Sequence, residues 1–138
     1  LSILKWTSRG VPMPLGGIKG NKRSLVFVDN LVDLIKNCIE RPAAANQTFL
    51  VSDDDDVSTR ELLVRVASAL GVKKRLLNIS PSLLGLVGKL LGKKEFEQRL
   101  CTSLQVDIAH TKNTLNWTPP YSMEKGLKQT ADWYKTRS

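Results

Sequence analysis

Arg23-Ser24-Leu25-Val26-Phe27-Val28-Asp29-Asn30-Leu31 opens on a cation, crosses four apolar residues and reaches an acidic residue just as a helical pattern begins. An apolar run of that length predicts a short strand covered on both faces. Asp29 then predicts a helix cap, because an aspartate before an apolar-periodic segment satisfies free backbone donors and favours the positive helix end. Leu31, Leu34, Ile35, Cys38 and Ile39 follow at three- and four-residue spacing, which predicts one buried helix face. Pro42 closes that helix, and Thr48-Phe49-Leu50-Val51 predicts a second strand, laid parallel to the first by a right-handed crossover. Alternation of strand and helix predicts the α/β class.

Upstream, residues 1–22 hold Trp6, Val11, Met13 and Leu15 among Gly10, Pro12, Pro14, Gly16, Gly17 and Gly20. Residues 11–21 therefore predict an extended loop with turns. Downstream, Ser58 and Glu61 have capping-box spacing, Leu62, Leu63, Val66 and Leu70 continue the helix, and Gly71 ends it. Residues 73–79 predict an exposed strand or link. Ser80 and Pro81 then open a helix to about residue 91 that is apolar nearly all round. A helix over about 94–100, a brief strand at 104–106 and a helix over 108–115 capped by Asp107 follow. The stretch Asn116-Trp117-Thr118-Pro119-Pro120 cannot continue a helix, and Ser122 caps a last one in which Met123, Leu127, Thr130, Ala131 and Tyr134 share a face.

At 138 residues and 41% hydrophobic content, the chain suits one ordered domain. Its two cysteines, Cys38 and Cys101, lack the close spacing of zinc or redox sites and predict reduced thiols in a cytoplasmic protein. No apolar stretch approaches the roughly 20 residues that span a bilayer. The formal charge of +8 suits a polyanionic partner, an anionic membrane surface or a phosphorylated small molecule. Its cations are dispersed and no aromatics are interleaved with them, which disfavours nucleic acid.

Taken in order, Arg23-Ser24 with Val26-Phe27-Val28-Asp29-Asn30-Leu31, then Phe49-Leu50-Val51-Ser52 with Val57-Ser58-Thr59-Arg60-Glu61-Leu62, then Leu104-Gln105-Val106-Asp107, then Leu115-Asn116-Trp117-Thr118-Pro119-Pro120 and Met123-Glu124-Lys125-Gly126-Leu127, resemble a known pattern. They resemble the C-terminal part of extended short-chain dehydrogenases that act on nucleotide sugars, the UDP-sugar 4-epimerases above all. The resemblance implies the substrate-binding region of an extended Rossmann-type enzyme whose cofactor-binding half is absent. It implies a substrate loop in residues 1–22, a late Rossmann-type strand-helix-strand in 23–56 and a helical substrate-binding part in 57–138.

In that family the arginine before the late strand reaches the nucleotide diphosphate, and Arg23 holds the matching position. A guanidinium fork binds two phosphate oxygens and stays charged at any relevant pH. Met13, Pro14 and Leu15 align with the loop that encloses the uracil ring. Arg99 is the nearest candidate for a second diphosphate arginine, at altered spacing. The implied partners are a UDP-sugar or other nucleotide sugar and the missing N-terminal cofactor domain, and an apolar face left by that domain also suits a homodimer. The family oxidises the sugar at C4 with tightly held NAD and returns the hydride to the other face. This chain is expected to bind no cofactor and to be inactive alone. The competing readings are a stand-alone basic α/β module that binds nucleic acid or an acidic partner, and an NAD-linked sensor or reductase of the same superfamily.

Several motifs are weighed and set aside. Gly16-Gly17-Ile18-Lys19-Gly20 precedes a strand, so it lacks the helix N-terminus that a dinucleotide pyrophosphate requires. Tyr121 and Lys125 match the superfamily's proton-transfer spacing, yet Tyr121 follows two prolines and precedes a cap, off the helix face that such a pair shares. The aspartates at 53–56 lack the alternate spacing of a calcium loop and read as a solvated turn. His110 has no nucleophile beside it. The helix at 81–91, with Lys89, Lys93 and Lys94 nearby, has a make-up that also suits an anionic membrane, although a helix apolar all round is normally buried against protein.

Overall fold

The computed structural model describes residues 2–12, 15–73, 75–80 and 102–137. The predicted helices at 81–91 and 94–100, and the site candidates Met13, Pro14 and Arg99, lie outside the described residues. Five α-helices stand among those described: α1 (Ser2–Ser8), α2 (Val28–Glu40), α3 (Thr59–Leu70), α4 (Ala109–Leu115) and α5 (Met123–Thr136). A 3-10 turn, Pro42–Ala44, follows α2.

Local chemistry sets most of the helix ends. At α3 the Ser58 hydroxyl accepts from the Glu61 amide while the Glu61 carboxylate accepts from the Ser58 amide, so two free donors are satisfied reciprocally. Gly71 ends α3 in the left-handed region at φ 72°, where a side chain would be strained. Ser122 caps α5 by accepting from the Lys125 amide. The α4 helix begins at Ala109, whose amide donates to Asp107 Oδ1 at 2.8 Å, and ends at Asn116 with φ 43°. The α1 helix departs from the loop expected over residues 1–22.

The start of α2 differs from the sequence expectation. Phe27 is its N-cap residue and makes no side-chain cap, while Asp29 sits exposed in the first turn. The specific work falls to the next residue, Asn30, which is fully buried. Its amide nitrogen donates to Asp53 Oδ1 at 2.7 Å and to the Tyr121 carbonyl at 2.8 Å, and its oxygen accepts from the Tyr121 amide at 2.9 Å.

The expected strands are present only as extended tracts. Among the described residues, Arg23 makes an antiparallel bridge to Val57 and a parallel bridge to Leu104, and the 25–28 and 48–51 tracts form no ladder. A ladder needs a neighbouring backbone about 4.8 Å away along several residues. Here 25–28 meets its neighbour chiefly through the Asp53 amide, which donates to the Leu25 carbonyl at 2.8 Å. Neither face is fully covered, since Val26 is 40% exposed, Val28 60% and Leu50 55%. The α2 face is also split. Leu34 is buried and Cys38 partly so, whereas Leu31, Ile35 and Ile39 are exposed, Ile39 to 80%.

Two apolar clusters hold the helices. Leu34 of α2 packs with Ile108, Leu115 and Trp117, flanked by Cys38, Phe49, Val51 and Val106. The Trp117 indole donates to Asp33 at 2.7 Å, which satisfies its polar edge in the core. The second cluster joins Val66 and Leu70 of α3 to Ala131 of α5, with Leu4, Leu62, Leu127 and Tyr134 against it.

Candidate functional site

The segment that carries Leu15 and Arg23 lies along the start of α3. Arg23 and Val57 exchange both main-chain hydrogen bonds, at 2.9 and 3.1 Å. Two residues before Arg23, the buried Asn21 side chain donates to the Thr59 hydroxyl at 2.8 Å and accepts from the Thr59 amide at 3.1 Å. The Arg60 amide donates to the Ile18 carbonyl at 3.2 Å, and its guanidinium Nη1 donates to the Gly16 carbonyl at 2.6 Å. The nucleotide loop candidate and the diphosphate arginine candidate thus share one scaffold, residues 57–60.

Arg23 is half-buried, and its Nε is enclosed without a hydrogen-bond partner. Its main chain is pinned from the other side as well, because the Leu104 amide donates to the Lys22 carbonyl at 2.8 Å and the Ser24 amide to the Leu104 carbonyl at 2.9 Å. Ser24 completes the junction: its hydroxyl donates to Asp56 at 2.5 Å and accepts from the Val106 amide at 2.8 Å. The Ser24 bond, followed by that from Gln105, holds the Asp56 carboxyl below its ordinary 3.8. Leu15 is half-buried, and its carbonyl accepts from the Ile18 amide at 3.2 Å in a tight turn.

The glycines of this loop serve close packing. A Cβ on Gly17 would lie 1.9 Å from the Ile79 carbonyl oxygen, and one on Gly16 2.8 Å from that of Leu77. The Gly16 amide is spent on the Leu77 carbonyl at 3.0 Å. These residues do not fit NAD, since the free amides and helix start that a pyrophosphate needs are replaced by neighbouring backbone. Among the described residues no cluster of three or more His, Cys, Asp or Glu is arranged to hold a metal.

The aspartates at 53–56 are more than a solvated turn. Asp53 accepts from the Phe27 amide at 2.8 Å and from Asn30, Asp54 pairs with Lys112 at 2.7 Å, Asp55 pairs with Arg65, and Asp56 takes Ser24 and Gln105. Each carboxylate joins a different part of the chain to the loop. Tyr121 lies off the helix, as expected, yet Lys125 reaches it: the ammonium sits 4.5 Å above the ring centroid, and the ring meets Phe27 edge-on at 5.7 Å. That contact is cation–π packing. His110 stacks on Phe49 at 5.5 Å. The open cleft of about 350 Å³ between α3 and α5, lined by Arg65, Ser68, Ala69, Glu124, Leu127 and Lys128, includes neither Arg23 nor Leu15.

Over nearly its whole length the chain is similar to the C-terminal part of nucleotide-sugar epimerases, and more distantly to a dehydratase. In particular, it is 51% identical over 130 residues, 94% of the chain, to a UDP-glucose 4-epimerase of Vibrio cholerae. It is 25% identical over 96% of its length to the N-acetyl-alpha-D-glucosaminyl-diphospho-ditrans,octacis-undecaprenol 4-epimerase of Escherichia coli O157:H7. It is 22% identical over 92% of its length to a dTDP-glucose 4,6-dehydratase of Xanthomonas campestris. The chain spans 40%, 43% and 34% of these relatives' own lengths, respectively. No protein-family profile and no solved structure matches it. Among the described residues no helix is long and apolar enough to cross a membrane.

Proposed function

We propose that this chain is the nucleotide-sugar-binding portion of an NAD-dependent 4-epimerase or dehydratase of the cytoplasm, with a UDP-sugar as ligand. Arg23 binds the diphosphate, Met13, Pro14 and Leu15 enclose the base, and Arg99 supplies a second cation. The redox chemistry belongs to a cofactor-binding portion that holds NAD, and this chain supplies grip rather than turnover. The observation that carries this reading is the tethering of both Arg23 and the 15–18 turn to residues 57–60. A base and its diphosphate are one rigidly connected ligand, so their binding groups need a common support. Arg23 as a whole is only half-buried, and its guanidinium supplies a cationic fork for an oxyanion.

A cofactor-binding portion as partner is supported by the apolar surface of Val28, Leu31, Val32, Ile35 and Ile39, left open along α2. A homodimer through the same face competes with it. Calorimetry with UDP at moderate salt tests the ligand. The wild-type chain is expected to bind, and Arg23→Ala to bind at least about tenfold more weakly, the loss of one charge-assisted contact. Binding of a short DNA duplex with a steep salt slope and no response to UDP would favour the basic module instead.

A further inference from the structure

We propose that Arg60 is the positioning residue of the nucleotide loop, locking the Gly16 peptide so that the adjoining Leu15 is set for the base. The inference rests on the nucleotide-sugar reading of that loop. Arg60 Nη1 donates to the Gly16 carbonyl at 2.6 Å and to Asn78 Oδ1 at 2.5 Å, and its own amide donates to the Ile18 carbonyl at 3.2 Å. The Gly16 amide donates in turn to the Leu77 carbonyl at 3.0 Å. Both polar ends of the Gly16 residue are therefore fixed to different neighbours.

Sterics close the remaining freedom. Gly16 and Gly17 already press on residues 77–79 so tightly that a methyl group at either position would collide with a carbonyl oxygen. The Gly16-Gly17 backbone therefore lies hard against residues 77–79 on one side, while the guanidinium holds the Gly16 carbonyl. At the far end, Arg75 Nη1 donates to the Gly10 carbonyl at 3.4 Å. The Gly10 and Gly16 carbonyls are thus each held by an arginine. A loop fixed before its ligand arrives loses less conformational freedom on binding. Arg60 is half-buried and acts through main-chain groups of the loop, so its effect belongs to affinity.

Arg60→Leu, Arg60→Lys and Asn78→Ala in the full chain test this, with amide hydrogen exchange and UDP calorimetry read together. In Arg60→Leu the Gly16 amide is expected to exchange at least about tenfold faster and UDP to bind about tenfold more weakly, as loss of a hydrogen bond from a charged group predicts. Amides inside α3 keep their rates, and Arg60→Lys recovers part of both effects. If Arg60→Leu loosens α3 as well, Asn78→Ala repeats the measurement, because it frees one guanidinium bond without altering the helix. Unchanged Gly16 exchange overturns the lock, and a loosened loop with undiminished UDP affinity overturns its positioning role. Failure of the wild-type chain to bind UDP overturns the loop's nucleotide reading and this inference with it, a result separable from the other two.

Discussion

At Gly126 two residue-scale effects oppose each other. A Cβ there would lie 2.8 Å from Phe27 Cγ and 3.0 Å from its Cβ, near the root of that side chain, where rotation gives little relief. Alanine in place of glycine stabilises a helix interior by about 1 kcal/mol, whereas overpacking costs about 1–3 kcal/mol. Gly126→Ala is therefore expected to lower stability by about 1 kcal/mol net, read as a lower urea midpoint at constant slope. Asn30 shows why a single residue can be misread from sequence. The pattern points to its acidic neighbour as the cap, but the buried position must donate twice and accept once, which an amide side chain does and an ionised carboxylate, an acceptor only, does not. Arg60 was equally illegible, since nothing in the chain marks a helix-face cation as the holder of a loop 44 residues away. The adjacent pair Gly16-Gly17 was the available signal, and it reports close backbone approach.

Elements governed by contacts within four residues were legible. Ser58 with Glu61, Gly71 and Ser122 act where the sequence predicts because each satisfies donors or acceptors next to itself in the chain. Ladders were not, because they require a remote partner. Ser58→Ala is expected to cost about 1 kcal/mol, measured by chemical unfolding. The Glu61 carboxyl is held below its ordinary 4.5, first by the Ser58 amide and then by the Ser58 hydroxyl. A carboxyl depressed in the folded state stabilises it above the unfolded value, and that contribution fades as pH falls through the folded one. The stability gap between wild type and Glu61→Gln is therefore expected to be full at neutral pH and to shrink below about pH 4.5.

For the whole molecule, the helical pattern of α2 was legible, but its covering was not. Periodicity reports that a face is apolar and is silent on what lies against it, so Leu34 finds the Trp117 cluster while Ile35 and Ile39 do not. A pair of serines at Ile35 and Ile39 is expected to change folding stability by no more than about 0.5 kcal/mol, as exposed positions do. The same pair should abolish capture by the N-terminal portion of the Vibrio cholerae relative, assayed by pull-down, and equal retention of both proteins would remove α2 from that contact. The aspartate tract carries a further consequence. Four consecutive carboxylates reach four separate destinations, so the tract works as a ruler in which spacing outranks charge. Losing one member to asparagine disconnects a single destination, but deleting one residue shifts every later carboxylate out of register and unfastens the helices at once.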